Sequence, residues 1–208
     1  MHIPDGFIWD LDRKLLLVLN GDWGGGWDTF WWTVTQPWCW APLYVAMIAL
    51  LWRHFGWRRM LVAVGLIILA LALADQTANF FKNNTPKFRP TYTDLEWLGM
   101  QFRDWVHTVR DYTGLEYRGG RFGTVSGHAA TSMAIALTAA GIYRRWWFSV
   151  GVALYVVLTA YSRIYLGVHF PLDILFGLSA GTLIGLFALW LWRLIDRRWG
   201  WKMMARRS

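Results

Sequence analysis

Apolar residues dominate five stretches of this chain, at about Phe30–Trp52, Met60–Phe80, Ser126–Tyr143, Trp146–Tyr161 and Leu172–Trp192. A helix needs roughly 20 residues to cross a bilayer, with a lower limit of about 17, so each stretch reads as a spanning helix. The third and fourth are short, and their ends are expected to run into the neighbouring loops. Pro37 and Pro42 kink or delay the first. Ahead of them, Phe7, Ile8, Leu11, Leu15 and Leu19 fall on one helical stripe, which predicts an interfacial helix broken by Gly24–Gly26. A cleavable signal peptide is not expected there, because the segment is acidic in balance and its apolar core Leu15–Leu19 is too short. Between the second and third spans, Thr93-x-x-Glu96 resembles a capping box. Leu98, Phe102, Trp105, Val109 and Tyr112 then recur at helical spacing, predicting an amphipathic helix on the outer surface, either a cap or a lid.

Composition turns this pattern into a fold class: all-α, an integral membrane helical bundle forming one domain over residues 1–208. The chain is 56% hydrophobic with a net charge of +8, and its charges cluster between the apolar runs. That distribution fits a multi-pass membrane protein and not a nucleic-acid binder. Many of the 17 Trp flank the apolar runs, where indole rings favour the headgroup region. Cys39 is the sole cysteine, so one chain can form neither a disulfide framework nor a cysteine metal site. Arg53, Arg58 and Arg59 follow the first span, Arg144 and Arg145 the third, and Arg193, Arg197 and Arg198 the fifth. The positive-inside rule makes that side cytoplasmic. The acidic N-terminus, residues 81–125 and the turn between the fourth and fifth spans then face outward.

Three polar clusters share that outer side. They are Lys82-x6-Arg89-Pro90, Ser126-Gly127-His128 and Ser162-Arg163-x5-His169-x3-Asp173. Ionisable groups at a membrane are costly and mark function by default. Arginines bind phosphoryl oxygens bidentately and lysine adds a point charge. The start of a helix at Ser126 and Gly127 favours an anion. Of two histidines, one can serve as nucleophile and the other as general acid. One carboxylate and two histidines beside several cations would repel Zn²⁺ or Mg²⁺, so neither a metal nor another cofactor is expected. Each residue also has a plain structural reading. Arg163 could snorkel, His128 could be a core histidine, Lys82 an interfacial anchor, and Pro171 with Asp173 an ordinary helix start. Asp75, Asn79 and Lys82 form a polar stripe with a structural or hydrogen-bonding role. His54 and His107 read as loop or surface residues, and Lys87 has no assigned role.

The three clusters together resemble the signature of the type 2 phosphatidic acid phosphatase superfamily, K-x6-R-P, P-S-G-H and S-R-x5-H-x3-D. The match departs once, with Val125 where the family has proline. The resemblance implies an α-helical bundle acting on lipid phosphates without a metal. It implies His169 as the nucleophile forming a phosphohistidine, Asp173 orienting it and His128 protonating the leaving group. Lys82, Arg89, Ser126, Gly127 and Arg163 would hold the phosphate. The expected setting is a bacterial cytoplasmic membrane with the site facing the periplasm or exterior. Undecaprenyl pyrophosphate in the outer leaflet is the favoured substrate. Phosphatidylglycerol phosphate, phosphatidic acid, lipid A, phosphate transfer to a second lipid, and non-enzymatic lipid binding or transport are the alternatives.

Overall fold

The computed structural model describes residues 6–92 and 102–198. Seven α-helices follow in order: α1 Phe7–Leu19, α2 Gly25–Thr35, α3 Ala41–Phe55, α4 Trp57–Asn84, α5 Gly127–Tyr143, α6 Trp146–Tyr165 and α7 Pro171–Arg198. Among the described residues there are no strands, and the expected all-α membrane bundle is what forms. Helices α4, α6 and α7 are long and apolar enough to cross a membrane, and the bent pair Gly25–Thr35 and Pro37–Phe55 makes a fourth if it is one span. That is fewer than the five expected.

The kink expected at Pro37 and the short third stretch account for the difference. The first stretch is split by a 73° bend into α2 and α3. Pro37 cannot continue the helical hydrogen bonding, and a short 3-10 turn, Pro37–Trp40, takes over. The Trp40 indole N–H donates to the Val34 carbonyl (2.8 Å), one of the acceptors left at the end of α2. The third, α5, has only 17 residues. It is rich in Ala and Gly on every side, so no face is polar enough to prefer water. It lies enclosed by α4, α6 and α7.

The α5–α7 contact is the tightest in the bundle, because Gly177, Gly181 and Gly185 repeat every four residues along one face of α7. A Cβ at Gly177 would sit 2.5 Å from the Ser126 carbonyl oxygen, and one at Gly181 would collide with the Ala130 carbonyl. Small residues at this spacing let two membrane helices approach backbone to backbone. The outward faces of α4 and α7 carry Leu61, Ile68, Leu175, Phe176, Leu183 and Phe187, exposed to the surroundings as a lipid-facing surface requires.

Helix α1 presents its apolar stripe outward. Phe7, Ile8, Leu11, Leu15 and Val18 are exposed, whereas Asp12, Leu16 and Asn20, four residues apart, are buried against the bundle. Asn20 stitches three segments together. Its amide donates to the carbonyls of His107, Ile164 and Tyr165, and its Oδ1 accepts from the His107 N–H. His107, in a loop as one of its expected readings has it, also pairs through Nε2 with Asp28 at 2.9 Å.

The outer amphipathic helix does not extend through Tyr112. Thr93, Glu96 and Leu98 lie outside the described residues. Beyond them, Phe102–Trp105 is a single 3-10 turn, and residues 106–125 are irregular. The physical reason is that the backbone groups there are engaged elsewhere. The Tyr117 N–H donates to the Val109 carbonyl, and Asp111 Oδ1 accepts from the N–H groups of Thr113 and Leu115. Phe102 and its neighbour Val106 are buried against Phe170 and Ile174, and Val109 is buried too, but Trp105 and Tyr112 of the expected stripe are exposed.

The basic ends gather at one end of the bundle. Arg59 at the start of α4 pairs with Asp196 near the end of α7 (2.5 Å), and the His54 ring packs on Tyr143 at the end of α5. Lys82, the start of α5, the end of α6 and the start of α7 occupy the opposite end.

Candidate active site

Four helix termini, the ends of α4 and α6 and the starts of α5 and α7, and one loop build this opposite end. Ser126 is the N-cap of α5: its hydroxyl accepts from the Ala129 N–H (3.4 Å), and its own N–H donates to the Asp173 carbonyl (3.0 Å), tying the starts of α5 and α7 together. Val125, in place of the family's proline, is buried and leaves the cap intact. The first N–H groups of α5, from Gly127 and His128, have no acceptor within the helix, so they face the site as anion donors. Lys82 projects from the end of α4 towards that point. A Cβ on Gly127 would lie 3.6 Å from its Nζ. One turn up α4 from Lys82, Asn79 donates to Asp75 (2.9 Å), the hydrogen-bonding role expected of that stripe.

Arg89 enters from the loop after α4, where residues 85–89 run beside 121–124. The Arg89 N–H donates to the Arg121 carbonyl, and the Gly123 N–H to the Lys87 carbonyl. Its guanidinium donates to the carbonyls of Phe122 (3.1 Å) and Val168 (3.2 Å). Burial and the neighbouring Arg163 guanidinium hold its pKa below the ordinary arginine value. Arg163 is fully enclosed near the end of α6. It donates to the Thr35 hydroxyl and to the Tyr117 hydroxyl (3.3 Å). Neither Thr35 nor Tyr117 stands out in the sequence, because a lone hydroxyl carries no periodic signal.

Gly167, at φ 66°, turns the chain from α6 towards His169. A side chain there would strike Val106 and the His107 carbonyl. The His169 Nδ1 lies 3.2 Å from the Gly123 carbonyl oxygen and 3.5 Å from Asp173 Oδ2. A carbonyl only accepts, so Nδ1 carries the proton and Nε2 presents its lone pair. Burial, with Arg89, Arg163 and Lys82 nearby, pushes the His169 pKa well below 6.5, so the ring is neutral at pH 7. His128 lies within electrostatic reach of His169, Arg163, Lys82 and Arg89. The eight residues singled out in the sequence are therefore brought together.

Asp173 is not devoted to His169. Its Oδ2 accepts from the Phe170 N–H (3.0 Å), the back-bond of a capping box, and its Oδ1 accepts from Lys87 Nζ (2.9 Å). Gly123 is the group in hydrogen-bond contact with His169, and it and Lys87 join the site only through the fold. Among the described residues, Asp22, Asp28 and His107 place ligand atoms close enough together to hold a metal ion. They share no residue with this site, and Asp28 Oδ1 already accepts from His107 and the Tyr165 hydroxyl.

Chemically, the site concentrates three cations and helix-start N–H groups around an uncharged histidine. It suits an anion that accepts several hydrogen bonds at once and carries a phosphorus within reach of Nε2. Residues 61–198 match the PAP2 superfamily. The chain belongs to that family and is a membrane lipid phosphatase, a hydrolase of phosphate esters. It is 33% identical over 193 residues to the lipid A 4'-phosphatase of Bacteroides thetaiotaomicron, covering 92% of this chain and 80% of that one. A putative undecaprenyl-diphosphatase of Escherichia coli is 40% identical over 73 residues, 35% of this chain and 36% of that one. The crystal structure of Aquifex aeolicus LpxE superposes with a TM-score of 0.63 at 24% identity, covering 91% of this chain and 99% of that one, and attests the shared fold.

Proposed function

We propose that this phosphatase removes a phosphate monoester from a glycolipid of the lipid A type through a phosphohistidine on His169. The carrying observation is the Gly123 carbonyl 3.2 Å from His169 Nδ1, which leaves Nε2 as the nucleophilic nitrogen beside the cations. Nε2 attacks phosphorus and the P–O ester bond breaks. His128, protonated once the charge of the bound phosphate offsets Lys82, Arg89 and Arg163, delivers that proton to the departing alkoxide and then accepts one from the water that hydrolyses the N–P bond. Lys82, Arg89 and Arg163, with the N–H groups at the start of α5, balance charge on the transferring oxygens, and these roles require no metal.

The substrate class rests on the relative matched over nearly the whole chain, a lipid A 4'-phosphatase. That evidence outweighs the undecaprenyl pyrophosphate expectation, which has support over a third of the chain. The basic clusters at the opposite end favour a cytoplasmic membrane with the site facing the periplasm or exterior. Purified protein should release phosphate from lipid A faster than from undecaprenyl pyrophosphate, phosphatidylglycerol phosphate or phosphatidic acid. An acid-labile phosphoenzyme should form, and His169→Ala should abolish it. Turnover by His169→Ala would overturn the mechanism, and preference for undecaprenyl pyrophosphate would overturn the substrate. Phosphate appearing on an added acceptor lipid would mark a transferase. In a Cys39→Ala background, a cysteine at Gly120 should react with impermeant reagent from outside and one at Gly56 should not. The reverse pattern would invert the topology.

A further inference from the structure

Three charged groups from distant parts of the chain meet beneath His169. Lys87 Nζ lies 2.9 Å from Asp173 Oδ1 and 3.4 Å from Asp12 Oδ2. The two carboxylates are almost completely enclosed, at 2% and 1% exposure for Asp12 and Asp173. Asp12 comes from α1, where it lies on the buried face one turn before Leu16. Its other oxygen, Oδ1, accepts the Leu172 N–H (2.8 Å), so a residue of α1 caps the start of α7. The Lys87 ammonium is further sandwiched by the Trp9 ring of α1 (4.8 Å to the centroid) and the Phe170 ring beside His169 (4.4 Å). Two enclosed carboxylates share one ammonium here, and a buried charge is stable only beside its partner, so moving α1 would disturb the charge beside His169.

We propose that Asp12 and Lys87 are positioning residues of the phosphatase: the Asp12–Lys87–Asp173 chain fixes the Asp173 carboxylate beside His169 and links the seating of α1 to the competence of the nucleophile. Lys87 draws Oδ1 of Asp173 away from the imidazole and leaves Oδ2 directed at the Phe170 N–H and Nδ1. Asp12, at the longer distance of 3.4 Å, is the second anchor that keeps the Lys87 ammonium in place against Asp173. Because α1 exposes Phe7, Ile8, Leu11, Leu15 and Val18 on its other face, its seating depends on the lipid interface, and the chain carries that dependence to the site. The inference rests on His169 being the nucleophile.

The test uses full-length protein in detergent with dioctanoyl phosphatidic acid as a probe, reading kcat, KM and phosphoenzyme formation. Lys87→Met leaves two buried carboxylates facing each other and should lower kcat about 10²-fold with KM unchanged, as small misplacements of a reacting group do. Adding Asp12→Asn to Lys87→Met relieves the repulsion and should recover about tenfold of that loss. Additive losses would overturn the proposal. If Lys87→Met does not fold, Asp12→Asn alone decides, since asparagine still accepts the Leu172 N–H and preserves the cap. A drop in kcat at unchanged thermal stability supports positioning, and a wild-type kcat overturns it. Activity surviving in His169→Ala would instead strike the reading of the site. An inactive His169→Ala together with a normal Asp12→Asn would strike only this inference.

Discussion

The carbonyl oxygen of Gly123 stands 3.2 Å from Nδ1 of His169, and the Cα of Gly123 is so close that an added Cβ would lie 3.2 Å from the same ring and 2.9 Å from Cγ of Arg89. The residue that fixes the imidazole tautomer therefore also has no room for a side chain. Gly123→Ala should displace both His169 and Arg89 and lower kcat/KM by about 10²-fold while the detergent-solubilised protein keeps its helical content. Steady-state kinetics beside circular dichroism checks this, and normal turnover would mean that the ring does not depend on that contact.

His128 faces the leaving group in the mechanism above. His128→Asn should cost about 10²- to 10⁴-fold on an alkyl phosphate, the range expected for a lost general acid. The loss should shrink on p-nitrophenyl phosphate, whose leaving group departs without a proton. An equal loss on both substrates would remove the general-acid role.

The α5–α7 seam sets the distance between Ser126 and Asp173. Gly181→Val drives a side chain into the Ala130 carbonyl and should destabilise by about 1–3 kcal/mol or more, because overpacking a closed contact forces the backbones apart. Gly65 in α4 has open space around it, and Gly65→Ala should stabilise by about 0.5–1 kcal/mol through helix propensity. Thermal unfolding in detergent compares the two, and equal effects would contradict the seam.

His169 also imposes a pH dependence on stability. Burial first, then Arg89, Arg163 and Lys82, hold its folded pKa well below the 6.5 of the unfolded chain. Above pH 6.5 both states leave the ring neutral, and the group contributes nothing to the slope. As pH falls below 6.5 the unfolded chain takes up a proton that the folded site refuses, so stability drops. One such group accounts for at most about 1.4 kcal/mol per pH unit. His169→Asn should flatten the fall in melting temperature between pH 6.5 and pH 5, and an unchanged slope would show that the ring is not held neutral.

Much of this was legible in the sequence and the rest was hidden for specific reasons. The segment from Phe102 to Tyr112 shows how a periodic apolar pattern can be only half right. Of its spaced apolar residues Phe102 and Val109 pack inward while Trp105 and Tyr112 are exposed, because the backbone bonds to Asn20 and Tyr117 instead of continuing a helix. Periodicity reports which side chains prefer burial and cannot report which acceptor a backbone N–H will find 80 or more residues away.

The sequence by itself determined the all-α membrane class, the basic end of the bundle and the eight candidate site residues that the fold brings together at the other end. These rest on signals that are local: apolar run length, charge between runs, and cation, hydroxyl and histidine spacings within short motifs. Only the tertiary structure decided that Gly123 holds His169, that Thr35 and Tyr117 hold Arg163, and that Asp12 caps α7 and shares Lys87 with Asp173. Each of those contacts joins residues from different helices or loops, and Asp12 and Asp173 stand 161 positions apart in the chain. A buried charge is stable only beside its partner, and packing alone brings such partners together.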